Sequence, residues 1–196
     1  MSDIAKLRKN LESRGFRTSF FETAEEACAY LDSRIDQTTV GFGGSVTLQE
    51  MGLYETLAAH NTCMTHWKGS PIDAAASAAV YISSVNGVAE TGELINIDAT
   101  CNRVASGLFG HDRLYFVIGT NKIAPDETSA LWRARNIAAP KNARRLGKNT
   151  PCAVEADRCY DCNSPDCICS VIVTYRRCPK AIREAEVVII NQELGY

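Results

Sequence analysis

Phe16-Arg17-Thr18-Ser19-Phe20-Phe21, then Thr23 to Ile35, then Thr38-Thr39-Val40-Gly41-Phe42 follow one another with little between them. The first and last are aromatic and β-branched runs that read as strands. In the middle segment Thr23 and Glu26 have the spacing of a capping box, and the helix it opens carries Ala27, Tyr30, Leu31 and Ile35. Strand, helix and strand in this order suggest a parallel sheet.

Outward from this unit the pattern repeats. Ile4, Leu7 and Leu11 mark one face of an N-terminal helix, and further strands are expected at 79–83, 94–97, 114–118, 171–175 and 187–190. Several of these are nearly continuous apolar runs, as in strands covered on both faces. A helix is expected from Asp126 to Asn136 after the Pro125 turn, and another from Lys141 to Leu146, stopped by Gly147. The expected fold is therefore α/β, three-layer, with a mainly parallel sheet and helices on both faces. The 196 residues suit a single domain, 1–196, large enough to bury a core without a metal to staple it.

The 21 basic and 23 acidic residues are interspersed for a net charge of −2, which leaves no basic stripe for nucleic acid and no polybasic patch for a membrane. The weakly polar stretch Ala74 to Ala89 holds three serines and an asparagine, unlike a membrane span. The N-terminus is charged and amphipathic rather than signal-like, which points to a reducing cytoplasm.

Six of nine cysteines fall between Cys152 and Cys178, spaced C-x6-C-x2-C-x4-C-x-C-x8-C. Thiolates favour zinc, cuprous copper and iron–sulfur clusters, and the Cys159–Cys162 pair can place two sulfurs on one metal from a single turn. Segment 152–178 is thus a candidate metal-binding segment, with disulfides or redox thiols and plain packing as the competing readings. Cys28, Cys63 and Cys101 stand singly and are better explained by packing.

Two other groupings carry chemistry. Gly41-Phe42-Gly43-Gly44-Ser45-Val46-Thr47 is a glycine-rich turn between strand and helix, with Thr47 and Glu50 in capping-box spacing, and its amides are candidates to face an anion. It lacks the Walker lysine and a full dinucleotide fingerprint, so a plain tight turn competes with this reading. Polar residues also gather where strands should end: Asn86, Glu90 to Glu93, Asn96, Asp98, Asn102-Arg103 and Asn121-Lys122. Ligands of open parallel sheets bind at the carboxyl ends of strands. There Arg103 and Lys122 are candidates to clamp a carboxylate or phosphate, Glu90 to move a proton or attack, and Asn121 to donate to an oxyanion. Hairpin turns at Asn86-Gly87 or Thr91-Gly92 with solvated charges are the plainer account. His60, His66 and His111 share no ligand spacing and read as surface or packed residues.

The combination Gly43-Gly44-Ser45-Val46-Thr47, Met51-Gly52-Leu53, Ala89-Glu90-Thr91-Gly92-Glu93-Leu94, Asn102-Arg103-Val104-Ala105, Gly119-Thr120-Asn121-Lys122-Ile123 and Ala138-Ala139-Pro140-Lys141-Asn142-Ala143 resembles the LUD (lactate-utilisation) domain family, from about Ile4 to Tyr196. The resemblance implies a fold similar to that of CoA-transferases, ribose-phosphate isomerase and glucosamine-phosphate deaminase, and an association with lactate oxidation alongside iron–sulfur partner proteins. In the branch it looks like, Thr150-Pro151-Cys152, Cys159-x-x-Cys162-x-Ser164-Pro165 and Cys169 form the pattern. The resemblance thus implies Cys152, Cys159, Cys162 and Cys169 as ligands of an iron–sulfur cluster of 4Fe–4S type, with zinc the alternative. That branch usually has arginine at the position of Cys167 and glycine at that of Cys101, and Cys167, next to Cys169, is either a competing fourth ligand or a bystander.

Three functional readings follow. The first is a cytoplasmic lactate-utilisation-type protein carrying the cluster and binding a small anionic metabolite near Gly43, Gly44, Ser45 and Asn121. The second is an isomerase- or transferase-like enzyme with structural zinc and Glu90 as base or nucleophile. The third is a non-catalytic carboxylate sensor or subunit. Assembly into a homo-oligomer is compatible with each.

Overall fold

A computed structural model describes residues 3–155 and 157–196. Among the described residues ten strands form two sheets. The larger follows the order β1 (Arg17–Phe21), β10 (Glu184–Ile190), β7 (Arg113–Gly119), β4 (Val80–Ser83), β2 (Thr39–Phe42), β3 (Thr62–Met64), and every neighbouring pair in it is parallel. The strand–helix–strand unit that opens the sequence is present: α2 (Ala24–Arg34) joins β1 to β2 and is started by the Thr23–Glu26 capping box.

The apolar runs of the central strands serve both faces at once. In β7 Leu114, Phe116 and Ile118 enter one core while Tyr115 and Val117 enter the other, and in β10 Val187 and Ile189 oppose Val188 and Ile190. Alternation of side chains across a strand requires this wherever both faces are covered. The second core is closed by Leu31 of α2, Leu48 of α3 (Val46–Glu50) and Leu53 and Leu57 of α4 (Leu53–Ala58). The first is closed by Leu7 and Leu11 of α1 (Ile4–Ser13) together with Val88, Leu94 and Tyr175.

Those last three residues belong to a second sheet that the strand pattern does not reveal. Its order is β8 (Ile123–Ala124), β5 (Gly87–Ala89), β6 (Leu94–Asp98), β9 (Val171–Tyr175), with β6 antiparallel to both neighbours and β5 parallel to β8. The segments at 94–97 and 171–175 are strands as expected, but they pair here rather than in the main sheet. The cause is local. Gly92 at φ 98° closes a tight β5–β6 hairpin, with Gly92 N donating to Ala89 O at 2.8 Å, and returns the chain antiparallel. One face of this sheet packs toward the main sheet. Behind the other, Ile95 and Ile97 meet Ala130, Ala134 and Ala139.

The alanines come from one helical run: α6 (Glu127–Arg133), a π-helical stretch Ala134–Ala138, and α7 (Ala139–Arg145). The helices expected at 126–136 and 141–146 are thus continuous. Pro140 has no N–H for the carbonyl of Asn136, which accounts for a local widening rather than an unbroken α-helix. α5 (Asn102–Leu108) contacts β4 and β6, and α8 (Pro151–Glu155) packs on α7. No helix among the described residues is long and apolar enough to cross a membrane.

Candidate functional site

The carboxyl ends of the adjacent strands β2, β4 and β7 open onto a cavity of about 320 Å3. Gly44 and Ser45 follow β2, Ser84 and Asn86 follow β4, and Lys122 follows β7. Lys122 is only 3% exposed and donates to Thr47 Oγ1 and Ser84 Oγ, both at 2.8 Å. Among the described residues no carboxylate pairs with its ammonium. Burial first, then the nearby Arg133 and Arg103 guanidiniums, push its pKa down to about 7, with Glu50 opposing.

Arg103 lines the cavity but has both Nη groups engaged, with Nε 3.9 Å from Asp98 Oδ2. Its Nη1 donates to Ser84 O at 3.2 Å and Asn96 Oδ1 at 2.6 Å, and its Nη2 to Ile97 O at 2.6 Å and Asn86 Oδ1 at 3.3 Å. It therefore braces the cavity and charges it positively rather than gripping a ligand. Arg133 lies behind, bonded to Asn121 O at 2.8 Å and Asn86 O at 2.6 Å. Asp98, on the cavity wall, already accepts from Ala99 N at 2.8 Å and Val104 N at 3.1 Å. Arg103, Lys122 and Arg145 against the Asp98 carboxylate leave the lining with an excess of basic side chains, which suits an anion.

The structure sorts the sequence-derived candidates. Lys122, Arg103, Gly44 and Ser45 meet in this cavity, but Glu90 does not. The Glu90 carboxylate sits at the β5–β6 hairpin, accepting from Asp3 N at 3.0 Å and pairing with Lys6 Nζ at 3.2 Å, so it docks the hairpin on α1. Asn121 is also diverted: Oδ1 accepts from Leu194 N at 3.2 Å and Nδ2 donates to Gly195 O at 3.3 Å, tying down residues 194–195. Gly43 is a packing requirement, because a Cβ there would stand 2.5 Å from the Tyr81 hydroxyl and 2.6 Å from Ser83 Oγ. The expected Thr47–Glu50 cap is corrected as well. Ser45 caps α3 by accepting from Leu48 N at 3.3 Å, which frees Thr47 to meet Lys122 and turns Glu50 toward Gly195 N at 2.7 Å.

Thr47, at the end of the glycine-rich turn, joins the site through its side chain, and Ser84, Arg145 and His66, for which the sequence reading offers no ligand-contacting role, complete it. Ser84 was within reach of the rule that ligands collect at strand ends, since it directly follows β4. His66, read as a surface or packed residue, comes from a short 3-10 turn whose position only the tertiary fold decides.

A second cavity, of about 310 Å3, is lined by Cys152, Cys159, Cys162, Cys167 and Cys169. All nine cysteines are free thiols. Cys159 Sγ accepts from Asp161 N at 3.3 Å and from Arg135 Nη2 at 3.7 Å. Arg135 and Asn136, which accepts from Cys159 N at 3.2 Å, are both presented by the π-helical stretch. Burial, then the neighbouring Cys167, Cys159 and Cys152 sulfurs, push Cys169 up to about 12. Cys178 lies apart, donating its backbone N–H to Arg14 O at 2.9 Å and packing on the first core. Cys28 and Cys63 pack against the second core, as expected. Among the described residues no group of three or more His, Cys, Asp or Glu is arranged to hold a metal ion. Ile97, Ala139 and Ile168 line both cavities.

Fold and site together define an α/β protein with an anion-type pocket at the carboxyl edge of its parallel sheet and a thiol-lined cavity behind it. The sequence matches the LUD domain family over residues 4–190, and the chain belongs to that family, which points to a function of the lactate-utilisation type. A crystal structure of a DUF162 family protein from Deinococcus radiodurans is similar with a TM-score of 0.58 at 11% identity, covering 95% of each chain, and supports the fold. No curated protein matches the sequence.

Proposed function

We propose that this chain serves the oxidation of lactate-type organic acids by seating a small carboxylate in the Lys122 pocket beside an iron–sulfur cluster held by Cys152, Cys159, Cys162 and Cys169. The observation that carries this reading is the shared lining: Ile97, Ala139 and Ile168 border both the basic pocket and the thiol cavity, so the two lie side by side. The donor chemistry suits such a group. Thiolates are the usual cluster ligands, and N–H donors to sulfur, as at Cys159, are among the features that tune cluster potentials. Bound there, a cluster would supply either electron transfer or an open Lewis-acid iron.

The chain's own residues do the rest. Arg103 holds the floor of the pocket through Asn86, Asn96 and Ile97, Lys122 offers an amine with neutral hydroxyl partners, and the positive surroundings draw in the carboxylate. With Glu90 paired to Lys6, the isomerase-like reading loses the acid it relied on.

Protein purified under oxygen protection is expected to show broad visible absorbance with stoichiometric iron and acid-labile sulfide. Cys159→Ser should lose most of both. Absence of colour, iron and sulfide in the oxygen-protected wild type would overturn the cluster reading.

A further inference from the structure

A lysine used only to grip an anion is best kept charged, and an acid beside it would do that. The surroundings of Lys122 do the opposite. The charged groups facing it from the packed elements are Arg103 of α5 and Arg133 of α6, which repel an ammonium, and Glu50 of α3, whose carboxylate is already engaged by Gly195 N at 2.7 Å. On the pocket side, Asp98 is held by two backbone N–H groups and by Arg103 Nε at 3.9 Å, Tyr196 also lines the wall, and His66 and Arg145 add no negative charge.

The hydrogen bonds match a neutral amine. Thr47 Oγ1 commits its proton to Leu194 O at 3.1 Å and so accepts from Lys122, and Ser84 Oγ accepts the second N–H at 2.8 Å. The fourth tetrahedral position at Nζ meets no protein acceptor among the described residues. In an ammonium it would be an unpaired buried proton, whereas in an amine it is the lone pair of a nucleophile at a ligand-sized pocket.

We propose that Lys122 Nζ attacks the carbonyl carbon of a small 2-oxo acid in this pocket and forms a covalent imine. This deepens the carboxylate reading above and rests on it. The amine lone pair makes the new C–N bond, the carbonyl oxygen takes up a proton to give a carbinolamine, and loss of that oxygen as water leaves the C=N bond. No oxidant is consumed: nitrogen gives up both of its protons, one to the carbinolamine oxygen and one as that oxygen departs, and both leave in the water. Ser84 Oγ, 2.8 Å from Nζ, is placed to relay them. A 2-oxo acid is the class that offers both a reactive carbonyl and the carboxylate that a basic pocket selects. It is also the class of product formed when a 2-hydroxy acid is oxidised.

The test is reductive trapping of the oxygen-protected full chain with pyruvate and cyanoborohydride, followed by peptide mass mapping. A carboxyethyl adduct is expected on Lys122 in preference to the exposed Lys9 and Lys141. Labelling should rise with pH through about 7, and lactate, which has no carbonyl, should give no adduct but slow labelling by pyruvate. Lys122→Arg should abolish that adduct, although the mapping decides the matter on wild type alone. If pyruvate and lactate both raise thermal stability while Lys122 is labelled no more than the surface lysines, the imine is refuted and the carboxylate pocket stands. If neither acid binds and no adduct forms, the pocket reading falls with it.

Discussion

Lys122 shows how far a single residue's chemistry departs from its sequence context. Next to Asn121 at the end of an apolar run it reads as a cationic clamp, and its placement at the pocket is as expected. What burial and two guanidiniums do to its proton cannot be read from neighbours in the chain, since Arg103 and Arg133 reach it from separate helices. Cys101 is the converse case, where one backbone angle decides which residue the position would hold without strain. It precedes α5 at φ 67°, the left-handed region that glycine occupies without cost, and its thiol makes only a long contact to Ala99 O at 3.6 Å. Replacing Cys101 with glycine should relieve that strain. Because glycine also loosens the unfolded chain, the expected net gain is about 1 kcal/mol in denaturant unfolding. A loss of stability would show that the thiol, not the backbone angle, governs this position.

At the scale of elements, local rules hold where they concern neighbours and fail where a distant partner competes. The Thr23 capping box is present with both halves made, and Thr23→Ala should cost about 1 kcal/mol of stability, measured by urea denaturation. Thr47, in the same spacing to Glu50, is no cap, because Ser45 is better placed and Lys122 recruits the threonine hydroxyl. α4 is linked to α2 electrostatically. Just past its end, His60 donates through Nε2 to Asp32 at 2.7 Å and through Nδ1 to Asp36 at 2.8 Å, an arrangement that needs both nitrogens protonated. Those carboxylates, Asp32 foremost, raise its pKa above the ordinary 6.5. The stability it contributes is therefore complete below about 6.5 and is lost as pH rises through the elevated value. NMR titration should place the His60 midpoint above 6.5, and His60→Gln should flatten the pH dependence of unfolding in that range. A midpoint at or below 6.5 would contradict the paired geometry.

Across the whole molecule, the proposed function rests on two neighbouring cavities, and neither is visible along the chain. The thiols of segment 152–178 do gather at one cavity, as their density suggested, yet Cys178 lies elsewhere and Cys167 joins the other four. Glu90 sits close to the other polar candidates in sequence and is carried away by the hairpin that β5 and β6 form. The sequence by itself determined the α/β class, the parallel unit around α2, the seven longer strands and the concentration of soft ligands, because periodicity, capping and composition are local. Tertiary structure alone decided the second sheet, the burial of Lys122 beside two guanidiniums and the apolar residues Ile97, Ala139 and Ile168 shared by the two cavities. Each of those depends on which distant segments exclude water from one another, and burial of that kind is a property of the assembled fold.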